Sequence, residues 1–406
     1  MRAFFLVSLA CSLPAIDPFD LVEWEELKLK PNGNFVYAED RLIFHPRARL
    51  TTGYDSNSPQ TAESHDEGFL GIAVGGTITW LPLEDQRFQV EGIIEGGKMD
   101  RLEPGQLPAL ASIVWEDQGE PWLQRAEGKI RRNDSPPLVQ TGRQIYRNDW
   151  EFSYDGTLSG DYLSIGGGPL ITRQQFLADA LDFEGPQRDS ETLSGQLHLG
   201  WQRAEVSAVE ATVSGGYLRY DESFTDSNGA YPNGLFMRGR GSWLIPVGER
   251  TSLQVAAGAV QWKFTDPWGG DSSRSDASVL LPEGGLTLHW DWEEDSFVES
   301  HVTQTVLTGV DANVATVIDG GIFGRLAILH TQGLDAEIGM TRVTASSGNA
   351  GQEPERRWGY RAGVGAELYY AKGWLWRLGL NYSDSRARIS EPFTRTISML
   401  QVTVAY

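Results

Sequence analysis

The C-terminal stretch Leu400-Gln401-Val402-Thr403-Val404-Ala405-Tyr406 decides the fold, because its side chains alternate in character. In an extended chain, successive side chains point to opposite faces, so Leu400, Val402, Val404 and Tyr406 share one face. This alternation is typical of a half-buried antiparallel strand, and one such strand occurs in many β proteins. The fold therefore depends on whether the rest of the chain repeats the pattern and on how the strands are connected.

The alternation recurs from residue 41 to the end of the chain. Residues 41–54 place apolar side chains such as Leu42 and Leu50 opposite Arg47 and Arg49. Each apolar face is several residues long, about what a tilted strand needs to cross the hydrocarbon layer of a membrane. A soluble sandwich with one solvated face would show the same alternation. Similar segments lie near residues 70–80, 88–95, 193–201, 286–292, 357–370 and 374–382.

The connections separate these two interpretations, because long and short ones alternate. Outer-membrane barrels have long extracellular loops and short periplasmic turns, whereas a sandwich or propeller has no reason to alternate. The pattern predicts an all-β fold, a single transmembrane antiparallel β-barrel of about 18 strands, or about 16 if the stretch 107–150 is counted differently. Long connections are predicted near 55–67, 98–107, 132–147, 173–190, 221–233, 265–276, 308–313, 343–356 and 385–394, and short ones near 82–86, 117–121, 156–160, 202–204, 246–250, 292–296, 327–330 and 371–373.

Composition agrees with this architecture. The chain has 406 residues, a formal charge of -21 and a mean hydropathy of -0.32. No run of eighteen or more apolar residues follows the N-terminus, which argues against a bundle of transmembrane helices. The 14 Trp and 13 Tyr residues suit a barrel with aromatic belts. The acidic balance argues against nucleic acid as a partner.

The N-terminus divides into two predicted segments before the barrel at 41–406. Residues 1–15 have a thin basic start and an apolar stretch, which predicts a secretory signal peptide. Cys11 is the single cysteine and allows a second interpretation, a lipidated lipoprotein site. Residues 16–40 are predicted to be a short periplasmic segment, too short for a plug domain.

Aromatic residues mark the ends of the predicted strands. An amphipathic ring prefers the headgroup level of a membrane, so these positions predict a girdle at the end with the short turns. Ordinary core aromatics are the alternative, and they would scatter along the strands. The predicted girdle comprises Trp80, Trp201, Trp243, Trp290, Trp292, Tyr370, Trp374 and Tyr406.

Charged residues of both signs occupy the faces opposite the apolar ones and are the candidate site. They would either fill and stiffen the lumen or line a polar conduit whose charges set solute preference. The predicted lumen-lining residues are Arg47, Arg49, Glu91, Glu95, Arg125, Glu127, Lys129, Arg131, His198, Glu210, Arg238, Arg240, His289, Asp291, Arg357, Arg361, Glu367 and Arg377.

The sequence predicts neither an enzyme nor a metal or cofactor site. The six histidines show no metal-ligand spacing, and no Gly-x-Ser-x-Gly elbow or convincing Ser/His/Asp set occurs. His289 with the nearby Asp291 is expected to belong to a lumen hydrogen-bond network. Acidic loop residues such as Asp55 could bind divalent cations beside lipopolysaccharide, although no calcium-loop spacing is present.

Four stretches resemble the outer-membrane β-barrel porins found in exopolysaccharide clusters of Gram-negative bacteria: Leu50–Asn57, Val139–Trp150, Leu286–Glu294 and Tyr382–Ser385. The resemblance covers roughly residues 42–406, and its motifs are degenerate. It implies a channel that works with a polysaccharide secretion system. Because no N-terminal helical-repeat domain is present, a periplasmic polysaccharide-export partner would be a separate protein.

These observations predict an integral outer-membrane protein with both termini in the periplasm. The terminal strand ending on Tyr406 resembles the signal that the barrel-assembly machinery reads, and the outer face would contact lipid and lipopolysaccharide. The expected function is a passive, non-enzymatic pore, with exopolysaccharide as the candidate solute. The alternative is a structural or surface-binding barrel with a closed lumen that acts through its extracellular loops.

Overall fold

A computed structural model describes seventeen stretches of the chain: 35–37, 41–56, 67–83, 85–97, 109–119, 121–133, 147–176, 189–203, 207–220, 233–264, 278–293, 295–308, 314–329, 331–345, 355–371, 374–387 and 392–405. The predicted signal peptide with Cys11 and the terminal Tyr406 lie outside these residues. Among the described residues, no helix is long and apolar enough to cross a membrane.

The described elements are β-strands that follow one another along the chain. They are β1 (Phe35–Tyr37), β2 (Leu42–Asp55), β3 (Glu67–Leu83), β4 (Gln86–Gly97), β5 (Ala109–Asp117), β6 (Trp122–Asn133), β7 (Arg147–Ser159), β8 (Leu163–Phe176), β9 (Ser190–Arg203), β10 (Ser207–Tyr220), β11 (Gly234–Gly248), β12 (Thr251–Phe264), β13 (Ser278–Glu293), β14 (Ser296–Thr308), β15 (Val314–Leu329), β16 (Gln332–Ala345), β17 (Glu355–Ala371), β18 (Trp374–Ala387) and β19 (Phe393–Ala405).

Strands β2 to β19 form a closed antiparallel barrel of eighteen strands. Each strand pairs with the next, and β19 pairs back onto β2 from Ile397↔Asp55 to Ala405↔Arg47. Closure pairs the first and last strands of the sheet, which is the requirement for a sheet that spans a membrane. The predicted count of eighteen is confirmed, and the alternative of sixteen is wrong, because the stretch 107–150 contains β5, β6 and the start of β7.

The barrel has two unlike ends. Connections of two to four residues join the strands at one end, here the turn end, and connections of five to thirteen residues join them at the other, the loop end. The predicted alternation is therefore confirmed. Boundaries differ by a few residues; the turn predicted at 156–160 lies after Ser159, because that residue still pairs with Ser164.

The two faces of the wall differ as the alternation requires. Large apolar side chains are exposed on the outer face in every barrel strand from β2 to β19, and Leu197 on β9, for example, is 67% exposed. An apolar band on the outside is what lipid contact demands. A depression of about 520 Å³ lies mainly on this outer face, where the small residues Gly324, Ala336 and Ala362 sit among larger ones.

One short strand was not predicted. β1 lies within the segment expected to be a simple periplasmic lead-in, and it pairs with β2 from Phe35↔Phe44 to Tyr37↔Leu42. Since β19 ends opposite Arg47, β1 takes the place beside β2 at the turn end where β19 stops. Three residues are too few for an alternation to be recognised in the sequence.

Candidate functional site

The candidate site is the inner face of the barrel. Seventeen of the eighteen predicted lumen residues have described side chains, and their strand registers place all seventeen opposite the exposed apolar face. Glu95 occupies the same inner register on β4, but its side chain lies outside the described part of the structure. The strand period of two explains the placement, because every second residue faces the lumen.

Arg361 on β17 is the centre of the most connected network. Its Nη1 donates to Asp319 Oδ1 at 2.7 Å and its Nη2 to Asp319 Oδ2 at 3.2 Å, while its Nε donates to Glu337. Asp319 also accepts from Thr341 Oγ1 at 2.9 Å and lies 2.9 Å from His301 Nε2. Two parallel hydrogen bonds make this arginine–carboxylate pair both strong and geometrically specific.

A glycine makes the Arg361 network possible. Arg361 pairs with Gly339 on β16, and Asp319 lies one strand further on, on β15. A Cβ at position 339 would lie 2.6 Å from the guanidinium carbon of Arg361. Because Gly339 has no side chain, the guanidinium can lie across β16 and reach Asp319.

A second network lies closer to the turn end of the same wall. Arg325 Nη2 donates to Glu367 Oε2 at 2.9 Å. Arg377 lies 3.8 Å from Glu367 and 3.7 Å from Asp335, measured between nitrogen and oxygen atoms. The positive charges of two arginines thus lie beside the negative charges of two carboxylates on β15 to β18.

The opposite wall carries a third network around Glu116, a buried carboxylate on β5. Arg87 and Arg125 each place a guanidinium nitrogen 2.7 Å from one of its oxygens. Arg125 also donates to Glu127 Oε2 at 2.8 Å. In all three networks, charges of opposite sign are paired, so these three parts of the wall are polar without a large local excess of either sign.

Three of the described histidines, His198, His289 and His301, lie beside carboxylates. His289 lies 3.1 Å from Asp291 and 3.4 Å from Glu299, which agrees with the expected hydrogen-bond network. Within the described ranges, no group of three or more metal-binding side chains occurs.

His198 belongs to a cluster with a carboxylate and a hydroxyl. His198 Nε2 lies 3.1 Å from Thr157 Oγ1, and Nδ1 lies 3.4 Å from Asp155. The Thr157 hydroxyl also donates to Asp155 Oδ1 at 2.7 Å, so the three side chains form one hydrogen-bond cluster.

The sequence analysis missed several inner-face partners, notably Asp319, Glu337 and Glu116. The alternation contained the signal for Glu337, which lies between Ala336 and Ile338. The signal was weaker for Asp319, which is followed by a glycine, and for Glu116, which is followed by another carboxylate. Their pairing could not be predicted, because it depends on which strands are neighbours and in which register.

The structure contradicts the prediction for Asp55. It was expected to be a loop carboxylate available to cations, but it lies at the end of β2 and faces inward, 1% exposed. Arg395 on β19, 2% exposed, donates to both of its oxygens, with Nη2 at 2.6 Å from Oδ2 and Nε at 3.1 Å from Oδ1. This buried pair joins the first and last strands of the barrel.

The predicted girdle residues lie on the outer face near the turn end where they are described. Trp80, Trp201, Trp243, Trp290 and Trp292 are exposed, and Trp374 is half-buried. The Trp290 and Trp292 rings stack with centroids 6.1 Å apart. The side chain of Tyr370 and the whole of Tyr406 lie outside the described residues.

No protein-family model matches the chain, and no curated protein matches it in sequence. Solved structures match it over most of its length. The outer-membrane protein OpdK from Pseudomonas aeruginosa has a TM-score of 0.53 at 9% identity, covering 91% of this chain and 100% of its own. OccAB4 from Acinetobacter baumannii has a TM-score of 0.50 at 11% identity, covering 89% of this chain and 98% of its own.

A third structure is the FrpB iron transporter from Neisseria meningitidis, with a TM-score of 0.50 at 11% identity over 84% of this chain. The match covers only 62% of the FrpB chain. At these identities the likeness is one of fold. The fold of this chain is thus the closed eighteen-stranded antiparallel barrel, of the kind found in outer-membrane proteins.

Proposed function

We propose that this chain is an outer-membrane channel for passive transport of solutes. The observation that carries the proposal is the closed barrel of eighteen strands, apolar outside and lined by charged side chains inside. Barrels of about 16 to 18 strands are wide enough to leave an aqueous channel. A polar lumen inside an apolar band is the arrangement that lets water and solutes pass a hydrocarbon layer.

The proposed orientation places the turn end in the periplasm and the loop end outside the cell. Both ends of the barrel chain, the start of β2 and the end of β19, lie at the turn end, as does β1. The outer face would contact lipid and lipopolysaccharide, and the barrel-assembly machinery would read the terminal strand ending on Tyr406.

Exopolysaccharide is the proposed solute, and the resemblance of four sequence stretches to porins of exopolysaccharide clusters supports it. The paired arginines and carboxylates of the lumen, such as Arg361 with Asp319, offer donors and acceptors that sugar hydroxyls could exchange with water. A separate periplasmic polysaccharide-export protein is the proposed partner.

Solute flux into liposomes that contain the purified, refolded protein tests this function. Swelling rates would be compared for a monosaccharide, a series of longer oligosaccharides and vanillate, the ligand in one OpdK structure. Entry of long oligosaccharides supports the polysaccharide route. Entry of small sugars and vanillate alone would keep the channel and remove the polymer as its solute.

A deletion strain tests the polysaccharide role in the cell. Loss of extracellular polymer with retention inside the cell is the expected result. Normal secretion in the deletion strain would contradict it.

A closed barrel that binds a surface partner is the second candidate, and one observation favours it. The inner faces of β19, β2 and β3 are densely packed, with Thr403, Thr51 and Ala73 almost completely buried. A filled lumen would bury its wall in this way. Under this alternative, shortening the connection 177–188 abolishes adhesion, and the protein carries no solute flux with or without that loop.

A further inference from the structure

The barrel wall opens between β13 and β14 at the loop end. These two strands stop pairing at Gly284↔Gln304. Beyond that point β13 continues on β12 as far as Ser278↔Lys263, and β14 continues on β15 as far as Thr308↔Val314. On its other side β15 stays paired with β16, from Ile318↔Arg342 to Ala315↔Ala345. Residues 305–308 of β14 and 314–317 of β15 therefore separate from β13 while they remain attached to β16, and we call these two segments the lumen hairpin.

Side chains of the inner wall hold the backbone of the lumen hairpin. The Val306 N–H donates to Glu283 Oε1 at 2.9 Å, and the Val306 carbonyl accepts from Arg238 Nη2 at 3.0 Å. Arg238 on β11 and Glu283 on β13 also contact each other at 3.0 Å. Because both side chains face inward, Val306 must lie inside the barrel.

Apolar packing gives the same position. Val306 and Val314, 2% and 4% exposed, form one cluster with the inward residues Leu218, Val260 and Trp262 of β10 and β12. Val306 lies four residues after Val302 on β14, so a regular strand would place both side chains on the outer face. Val302 does lie there and is 58% exposed. The face of the hairpin that would meet lipid in the wall thus covers the inner surface of β10 to β12.

We propose that the lumen hairpin is the constriction that limits the size of the solutes this channel passes, and that Arg238 and Glu283 hold it in place. The inference rests on the proposed channel function. Packed β layers lie about 10 Å apart, so a hairpin laid on the inner wall narrows the lumen by about one such layer. The constriction lies at the loop end.

A cysteine experiment tests the position of the hairpin without reference to transport. In full-length protein with Cys11→Ser, Val306→Cys is combined in turn with Val260→Cys and Leu218→Cys, and the folded barrel is oxidised. Disulfide formation is expected with at least one partner. Val302→Cys with Val260→Cys is the matched control and should not crosslink, because position 302 faces outward. Failure of both 306 pairs to crosslink would overturn the inference.

Liposome flux of sugars then tests the role. Arg238→Ala and Glu283→Ala, here called the release variants, each remove a side chain that holds the hairpin. Each should shift the size cut-off to larger sugars. Arg240→Ala on the same strand and Glu210→Ala on β10 are matched controls, because each removes the same charge from the lumen and neither has a described contact with the hairpin. They should alter ion preference and shift the sugar cut-off much less than Arg238→Ala and Glu283→Ala do. If a release variant folds poorly, the disulfide between position 306 and the inner wall gives a second test in an otherwise native barrel. Because it fixes the hairpin in place, the size cut-off for sugars should equal the native one or be smaller.

The outcomes separate the two proposals. Flux in the native protein with an unchanged cut-off in both release variants would refute the constriction and keep the channel. A silent native barrel whose release variants admit sugars would support the hairpin as the barrier. Silence in every variant, with the 306 disulfide formed, would contradict the channel and the constriction together, and would direct attention to the closed-barrel alternative.

Discussion

The pair Asp55–Arg395 closes the barrel, and removing one partner should weaken closure severely. Asp55 ends β2 and Arg395 is the third residue of β19, and both side chains are almost completely buried. The guanidinium contacts both carboxylate oxygens, with Nη2 at 2.6 Å from Oδ2 and Nε at 3.1 Å from Oδ1. The perturbation is Arg395→Met, which keeps the length of the side chain and removes its charge.

The expected magnitude follows from burial. Breaking a buried ion pair by removing one partner costs about 3–5 kcal/mol, because the remaining charge loses its compensation where water cannot replace it. Replacing both partners by apolar side chains of similar volume is often neutral or even stabilising. Asp55→Leu with Arg395→Met should therefore recover most of the stability that Arg395→Met alone loses.

Urea unfolding of the barrel in lipid vesicles, followed by tryptophan fluorescence, measures these free energies. The two single variants and the double variant form a thermodynamic cycle whose coupling energy isolates the pair. Arg386→Met is the control, since Arg386 on β18 is exposed and, within the described part of the chain, pairs with the neighbouring Asp384 at 3.2 Å; an exposed pair contributes about 0–1 kcal/mol. A loss below about 1 kcal/mol for Arg395→Met, with no coupling, would refute the reasoning.

Three further predictions concern the wall. Leu197→Arg places a charge in lipid and should destabilise the barrel by about 2–4 kcal/mol, whereas Gln196→Arg on the lumen side of the same strand should have little effect; equal effects in urea unfolding would contradict the assignment of faces. Gly339→Ala should force Arg361 away from Asp319 and cost about 1–3 kcal/mol, while Gly239→Ala, with open space at its Cβ, should be neutral or slightly stabilising; a neutral Gly339→Ala would show that the network is not tight. Trp290→Ala and Trp292→Ala should each lower stability in lipid vesicles by about 1.5–3 kcal/mol and by less in detergent, and equal losses in both media would argue against a membrane girdle.

The fold could be predicted from the sequence because a membrane barrel has a one-dimensional signature. Alternation along 70–80 and 374–382 fixes which side chains face outward, and the alternation of long and short connections fixes the barrel topology. Strand boundaries were less certain, because β7 extends to Ser159 through pairing with β8 rather than through its own residues. Pairing energy of this kind is not visible in a single strand.

The sequence predicts that the candidate site residues lie on the inner face of the wall, but it does not predict which residues they contact. Arg361 could be placed on the inner wall, but its partner Asp319 lies two strands away and is reached only because Gly339 has no side chain. The lumen hairpin was not predicted either, since Val306 keeps the alternation of a wall strand and is held inside by contacts with other strands, both polar, with Arg238 and Glu283, and apolar, with β10 and β12. Both features depend on the register between strands.

The central claim is that a water-filled path runs through this barrel, and electrical conductance across a planar lipid bilayer tests it most directly. The measurement uses full-length refolded protein whose heat-modifiable migration on gels shows that the barrel is folded. Stable single-channel steps, partly blocked when charged oligosaccharide is added, are the predicted result. A folded, inserted barrel that stays electrically silent across the accessible voltage range, alone and as Arg238→Ala, would contradict the account.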